Sequence, residues 1–147
     1  MGSTRYDMDA RFDRAKKAGY ASKSASEIFT QNAKRKAHGS MNPHGISFRE
    51  SRDSAVHPNS VPIILGLDVT GSMGHIPYDL IKEGLPKLMG GIIQGGVPDP
   101  ALLFLGIGDH ECDGYPLQVG QFESGDEELD MWLTRTYIES GGGGNAG

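Results

Sequence analysis

Apolar positions concentrate in the second half of this chain and follow two different periods. Ile63-Ile64-Leu65-Gly66-Leu67, opening at Val61, is a short apolar run that ends in Asp68. Its length and branched side chains predict a strand buried on both faces, as in a parallel sheet. Ala101-Leu102-Leu103-Phe104-Leu105-Gly106-Ile107 is a second such run, ending in Gly108-Asp109. Between them, Ile76 to Met89 places Ile76, Leu80, Ile81, Leu85, Leu88 and Met89 at helical spacings. Pro77 suits the first turn of that helix, and Gly84-Leu85-Pro86 predicts a break or kink. A connection of this length is what a crossover between parallel strands requires. Leu117 to Phe122 alternates as a half-exposed or edge strand does, and the short loop His110 to Pro116 makes it antiparallel to the strand before. Asp126 to Glu139 then reads as an amphipathic helix burying Leu129, Trp132, Leu133, Thr136 and Tyr137, with an acidic first turn that suits the helix dipole.

The first sixty residues are patterned more weakly. Asp9 to Ala18 predicts a short helix with Phe12, Ala15 and Tyr20 on one side, stopped by Gly19. Ser24-Ala25-Ser26-Glu27 has the spacing of a capping box, and a helix from about Ala25 to Ala37 should follow, with Ile28 and Phe29 as its apolar contacts. Neither helix has a wide apolar side, so both are expected to rest on the core or on a partner. Residues 40–60, rich in Pro, His, Asn, Ser and Arg, read as a linker or extended wrap. The expected organisation is a basic N-terminal arm over residues 1–60 and an α/β core over residues 61–147.

Charge sharpens that division. Residues 1–60 hold 11 Lys and Arg against 6 Asp and Glu, whereas residues 61–147 hold 3 against 13. A basic arm lying on the acidic body of its own or a neighbouring chain is the economical reading. The basic residues are scattered without interleaved aromatics, which makes nucleic acid an unlikely partner. No apolar stretch is long enough to span a membrane, and the N-terminus lacks the apolar core of a signal peptide. The single cysteine, Cys112, fits a reducing compartment, and the chain is expected to be cytoplasmic. His38, His44 and His57 lack ligand spacing and read as solvated loop histidines.

The chemistry lies where the first apolar run ends, at Asp68-Val69-Thr70-Gly71-Ser72-Met73-Gly74. Open α/β sheets place their ligands at the carboxyl ends of strands. Asp-x-Thr-x-Ser can turn one carboxylate and two hydroxyls to a single point, and these are hard oxygens of the type that Mg²⁺, Mn²⁺ or Ca²⁺ prefers. The bland alternative is a capped helix start, with Thr70 or Ser72 as N-cap and Asp68 at the dipole. The motif resembles the metal-ion-dependent adhesion site of von Willebrand factor type A domains, with Thr70 in place of the usual serine. The order strand, helix, strand, antiparallel strand, helix over residues 61–147 is similar to the first half of such a domain. The stretches 106–114, 116–124 and 139–145 resemble a bacterial, intracellular branch of that family. The resemblance implies a Rossmann-like core whose mostly parallel sheet has an antiparallel edge strand and flanking helices.

It also implies a divalent cation, Mg²⁺ or else Mn²⁺ or Ca²⁺, held by Asp68, Thr70 and Ser72; Asp109, which the expected topology brings to the same rim, is a further candidate that could ligate directly or through water. Ser140 and Asp113 are outlying loop candidates. The family's second motif, a Thr after the helix, has no counterpart in Ser140-Gly141-Gly142-Gly143-Gly144-Asn145, and its third, a later Asp, is absent. The chain is therefore expected to be a fragment, a domain truncated after its first half. Family members present the ion to an acidic side chain of a protein partner, and intracellular relatives work beside AAA+ ATPases. Two other readings stand beside this one. Assembly or self-association could use the arm and an open sheet edge. Metal-dependent hydrolysis is disfavoured because no phosphate loop and no activated nucleophile is present. His110-Glu111-Cys112 with Asp113 also invites zinc, although adjacent residues rarely converge on one ion.

Overall fold

The structure, a computed structural model, describes residues 6–34, 36–51, 59–70, 75–108 and 117–138. Strand β1 (Val61–Asp68) runs parallel to β2 (Pro100–Ile107), in a register that sets Val61 beside Pro100 and Asp68 beside Ile107. Strand β3 (Leu117–Val119) pairs antiparallel to β2, with Leu105 beside Val119. The result is an α/β fold on a small, open, mixed sheet of order β1-β2-β3. The crossover from β1 to β2 is helical throughout residues 75–94: α4 (His75–Asp79), a π-helical turn (Leu80–Gly84) and α5 (Leu85–Gln94).

The π-helical turn is the form taken by the expected kink. Pro86 has no N–H to return to the carbonyl of Lys82, so the helix widens before it and the Leu85 N–H reaches back to the Leu80 carbonyl. A Cβ on Gly84 would lie 3.2 Å from Leu80 Cδ2 and 3.3 Å from the Asp79 carbonyl oxygen, so glycine lets the widened turn close.

Helices cover one face of the sheet. Leu67, Leu102 and Phe104 pack with Ile81, Leu85 and Met89 of the crossover and with Leu129, Trp132 and Leu133 of helix α6 (Asp126–Thr134). On the opposite face a smaller cluster joins Ala101, Leu103 and Phe122, bordered by Leu105 and Val119. Phe122 reaches that cluster through a bulge. Leu105 pairs with Val119 but Leu102 bridges Glu123, which leaves one extra residue on the outer strand.

Burial of β1 departs from the expectation. Leu67 is buried and Ile63 and Leu65 half-buried, but Ile64 is 60% exposed. The run is therefore not a strand buried on both faces. Among the described residues β1 ends the sheet, and the helices lie on the Leu102 and Phe104 side only.

The arm packs by charge and by apolar contact together: Tyr20, Ile28, Phe29 and Met41 join the main core, while Arg11 is buried against Asp126 and Asp130. Helix α1 (Met8–Ala18) is capped by Asp7, whose carboxylate accepts the N–H of Asp9 at 2.9 Å, and it ends at Gly19 in the left-handed conformation (φ 71°). Its buried residue is Arg11, whereas Phe12 is 57% exposed, so the predicted Phe12 side is not the packed one. The capping box forms, with Ser24 N–H donating to Glu27 Oε1 at 2.9 Å. The helix it starts, α2 (Ala25–Ile28), stops after four residues, and α3 (Gln31–Lys34) follows. A continuous helix to Ala37 is lost because Ile28, Phe29 and Gln31 all bury themselves around the break. A 3₁₀ turn at Gly39–Met41 then buries Met41 completely in the main core.

Helix α6 also ends before its predicted limit. Gln118, fully buried, accepts the Tyr137 N–H at 2.8 Å and donates to the Tyr137 carbonyl at 2.9 Å. This side chain imitates a strand partner for Tyr137, and Thr136 and Ile138 are buried outside the helix. Among the described residues no helix is long and apolar enough to cross a membrane.

Candidate functional site

Strand register builds the predicted site. Asp68 is the last residue of β1, opposite the last residue of β2, so both parallel strands finish on one rim. Beyond Asp68 the chain stays anchored for one more step: Val69 is buried and its N–H donates to the Ile107 carbonyl at 3.0 Å. Thr70 follows and folds back. Its N–H donates to Asp68 Oδ1 at 2.9 Å, and its hydroxyl donates to the same oxygen. This is the local turn that Asp favours, in which a side chain captures the backbone two residues on.

The turn places an exposed carboxylate and a hydroxyl side by side. Thr70 spends its proton on Asp68, which leaves lone pairs on its oxygen for an acceptor role. Asp68 Oδ2 has no partner among the described residues. Two hard oxygen donors thus sit together at the strand terminus, and their chemistry fits Mg²⁺, Mn²⁺ or Ca²⁺ better than a softer ion.

Asp68 and Thr70 are the predicted residues that the structure brings together. Ser72, Asp109, Asp113 and Ser140 lie outside the described residues, as do His110, Glu111, Cys112 and His57. Among the described residues no group of three or more His, Cys, Asp or Glu side chains gathers as a metal site. Thr134 and Thr136 are engaged with the backbone, donating to the carbonyls of Asp130 at 2.9 Å and Trp132 at 3.2 Å.

A second polar constellation was not foreseen from the sequence. Arg11 lies within 3.2 Å of Asp126 Oδ1 and donates to Asp130 Oδ2 at 3.0 Å, with all but 1% of its side chain buried. Arg14 Nε donates to Asp126 Oδ2 at 2.8 Å from a partly exposed position. Tyr20 donates to Asp130 at 2.9 Å, and the Arg11 guanidinium stands 5.6 Å from its ring centroid. Burial raises the Asp126 carboxyl above the ordinary range, against the pull of Arg14 and Arg11. Burial and then Asp130 push the Tyr20 hydroxyl up to about 12. The network ties the arm to the acidic first turns of α6. The opposite charge of the two halves was its signal in the sequence, but not the identity of the partners.

His38 departs from its solvated reading. It is half-buried, and its Nδ1 accepts the Ser40 N–H at 3.1 Å to cap the 3₁₀ turn. Burial first, then the Arg135 and Lys34 charges, lower its pKa. His44 is exposed, as expected of a loop residue.

Comparisons with protein-family models, with curated proteins and with solved structures find no match to this chain.

Proposed function

We propose that this chain is a cytoplasmic binding module whose Asp68 rim holds a divalent cation, Mg²⁺ or else Mn²⁺ or Ca²⁺, and offers it to a carboxylate of a protein partner. The Asp68–Thr70 turn carries this reading, because it sets a carboxylate and a hydroxyl together at the carboxyl end of a parallel strand. Ser72 and Asp109, two and one residues beyond the described segments, would complete the donor set. Neutral hydroxyl ligands leave an ion net positive, hence receptive to an incoming acid. No chemical step is required of it. The fold proposed for this role is the Rossmann-like core of von Willebrand type A domains, to which the described α/β order conforms in outline. Calorimetric titration of Mg²⁺ and Mn²⁺ into the chain and into Asp68→Ala is the test. Saturable binding lost in the variant is expected. Heat that is absent, or unchanged by the substitution, refutes the proposal.

An assembly role is favoured by a separate observation. Val61 and Val69 direct their N–H groups toward the β2 side, to the carbonyls of Asp99 just before β2 and of Ile107 at its end, so by the two-residue period of a strand the even positions point outward. Among the described residues, Ile64, Gly66 and Asp68 therefore present N–H groups without a strand partner along an edge beside the exposed Ile64 side chain. Such an edge is a template for another strand. Pro62 stands at an even position, where it removes no bond to β2.

A further inference from the structure

A cavity of about 420 Å³ opens between the arm and the carboxyl end of α6, away from the Asp68 carboxylate and its turn. The volume lies within the range of small-molecule sites. Its charged lining is one-sided. Lys23 and Lys34 reach it from the arm, Arg135 from the end of α6, and His38 from the capped 3₁₀ turn. Glu27 is the one carboxylate in the lining, and it is already engaged with the Ser24 N–H at 2.9 Å.

This concentration of positive charge runs against the chain. The protein carries a formal net charge of −5, and Arg135 is one of only three Lys and Arg in residues 61–147. Elsewhere in the arm the buried cation is matched: Arg11 has Asp126 and Asp130. Lys23, Lys34 and Arg135 have no carboxylate within ion-pair distance among the described residues. Arg135 is nonetheless held in place, donating to Ser40 Oγ at 3.2 Å with its guanidinium 5.6 Å from the Trp132 ring centroid. An arginine fixed by its neighbours and flanked by two flexible ammonium groups is an arrangement suited to phosphate oxygens. The lowered pKa of His38 reports the same uncompensated charge, since Arg135 and Lys34 contribute to it after burial.

We infer that this cavity is a binding site for a small phosphate-bearing anion, gripped by Arg135, Lys34 and Lys23. The site is independent of the cation proposed at Asp68. Apolar walls from Ala18 and Ile28 and the polar Thr30 would face the rest of such a ligand.

Pyrophosphate serves as the probe, titrated calorimetrically into the full chain at physiological salt. Saturable one-to-one binding is expected, weakened roughly tenfold or more by Arg135→Gln and by Lys34→Gln, as loss of a charge-assisted contact implies. Lys87→Gln removes the same charge at an exposed helical position remote from the cavity lining and should leave the affinity unchanged. Lys34 is exposed, so its variant tests the site even where Arg135→Gln disturbs the packing on Trp132. In the same samples, proton resonances of the His38 ring should titrate at higher pH once pyrophosphate saturates the cavity. Absence of saturable heat up to millimolar pyrophosphate overturns the inference. So does equal weakening by Lys87→Gln, or a Lys34→Gln affinity equal to that of the parent.

Discussion

Arg11→Met tests whether the arm is part of the folded unit. Methionine keeps most of the length of the side chain and removes its charge. Arg11 is 1% exposed and stands between Asp126 at 3.2 Å and Asp130 at 3.0 Å, so its loss strands two carboxylates in a site built around it. Asp126 would keep Arg14 at 2.8 Å, a partner one-third exposed, and Asp130 would keep the Tyr20 hydroxyl. Removing one partner of a buried pair costs about 3–5 kcal/mol, whereas an exposed pair is worth at most about 1 kcal/mol. At roughly 3 °C per kcal/mol for a chain of this size, melting should fall by about 10–15 °C. Urea unfolding followed through Trp132, the single tryptophan, measures the change, because that ring lies in α6 directly beside the network. A double-mutant cycle with Asp126→Asn separates pairing from packing. Arg11 Nη1 and Asp126 Oδ1 are close without being aligned for a hydrogen bond, so the coupling is coulombic, and the double variant should be less destabilised than the sum of the two singles. A cost near 1 kcal/mol for Arg11→Met, with additive behaviour in the cycle, would refute the idea that this pair fastens the arm.

Three further outcomes follow from particular contacts. Gln118→Leu should cost about 2–3 kcal/mol, since two bonds to the Tyr137 backbone disappear inside the core, and amide exchange at Tyr137 should accelerate; unchanged protection there would remove Gln118 from the account of where α6 ends. His38 has a folded pKa below 6.5, so its contribution to stability is present above that value and is lost as pH falls through the depressed one. His38→Asn keeps an acceptor for the Ser40 N–H and should flatten stability relative to the parent as pH falls below 6.5, as unfolding midpoints on either side of that value would reveal. Ile64→Lys should change stability by less than about 0.5 kcal/mol because the side chain is mostly in water, and sedimentation velocity should show any self-association weakened; oligomers that persist unaltered would take the open β1 edge out of the assembly reading.

The α/β pattern was legible because it rests on period and run length. Both parallel strands, the antiparallel third strand, the crossover helix and α6 appear in the expected order. What failed was decided by tertiary contact. The apolar run of β1 reads as a doubly buried strand, yet run composition cannot say whether a second neighbour is present, and Ile64 is in water. The side chain of Phe12 suggested the packed side of α1, and Arg11 took it, because a cation can be buried where carboxylates wait. The end of α6 depended on Gln118, whose two backbone bonds leave no periodic trace. Of the candidate cation ligands, Asp68 and Thr70 were readable because their spacing of two forms the turn by itself. Hydrophobic pattern does not determine their conjunction with Ser72 and Asp109, which lie outside the described residues.

A basic arm of residues 1–60 against an acidic remainder first suggests complementary surfaces held by general attraction, but screening makes such attraction weak between exposed groups. Four of the arm's cations are used in two distinct ways. Arg11 and Arg14 neutralise Asp126 and Asp130 in a largely buried network, where screening is slight and geometry decides the energy. Lys23 and Lys34 are left over, and Arg135 joins them from the acidic half at a cavity with one engaged carboxylate. If the arm were a sticky tail, its cations would be spread over the acids of the body until the field was flat. The surplus at the cavity is thus gathered in one place with no carboxylate free among the described residues to offset it, and an anionic ligand is the most direct way to satisfy it.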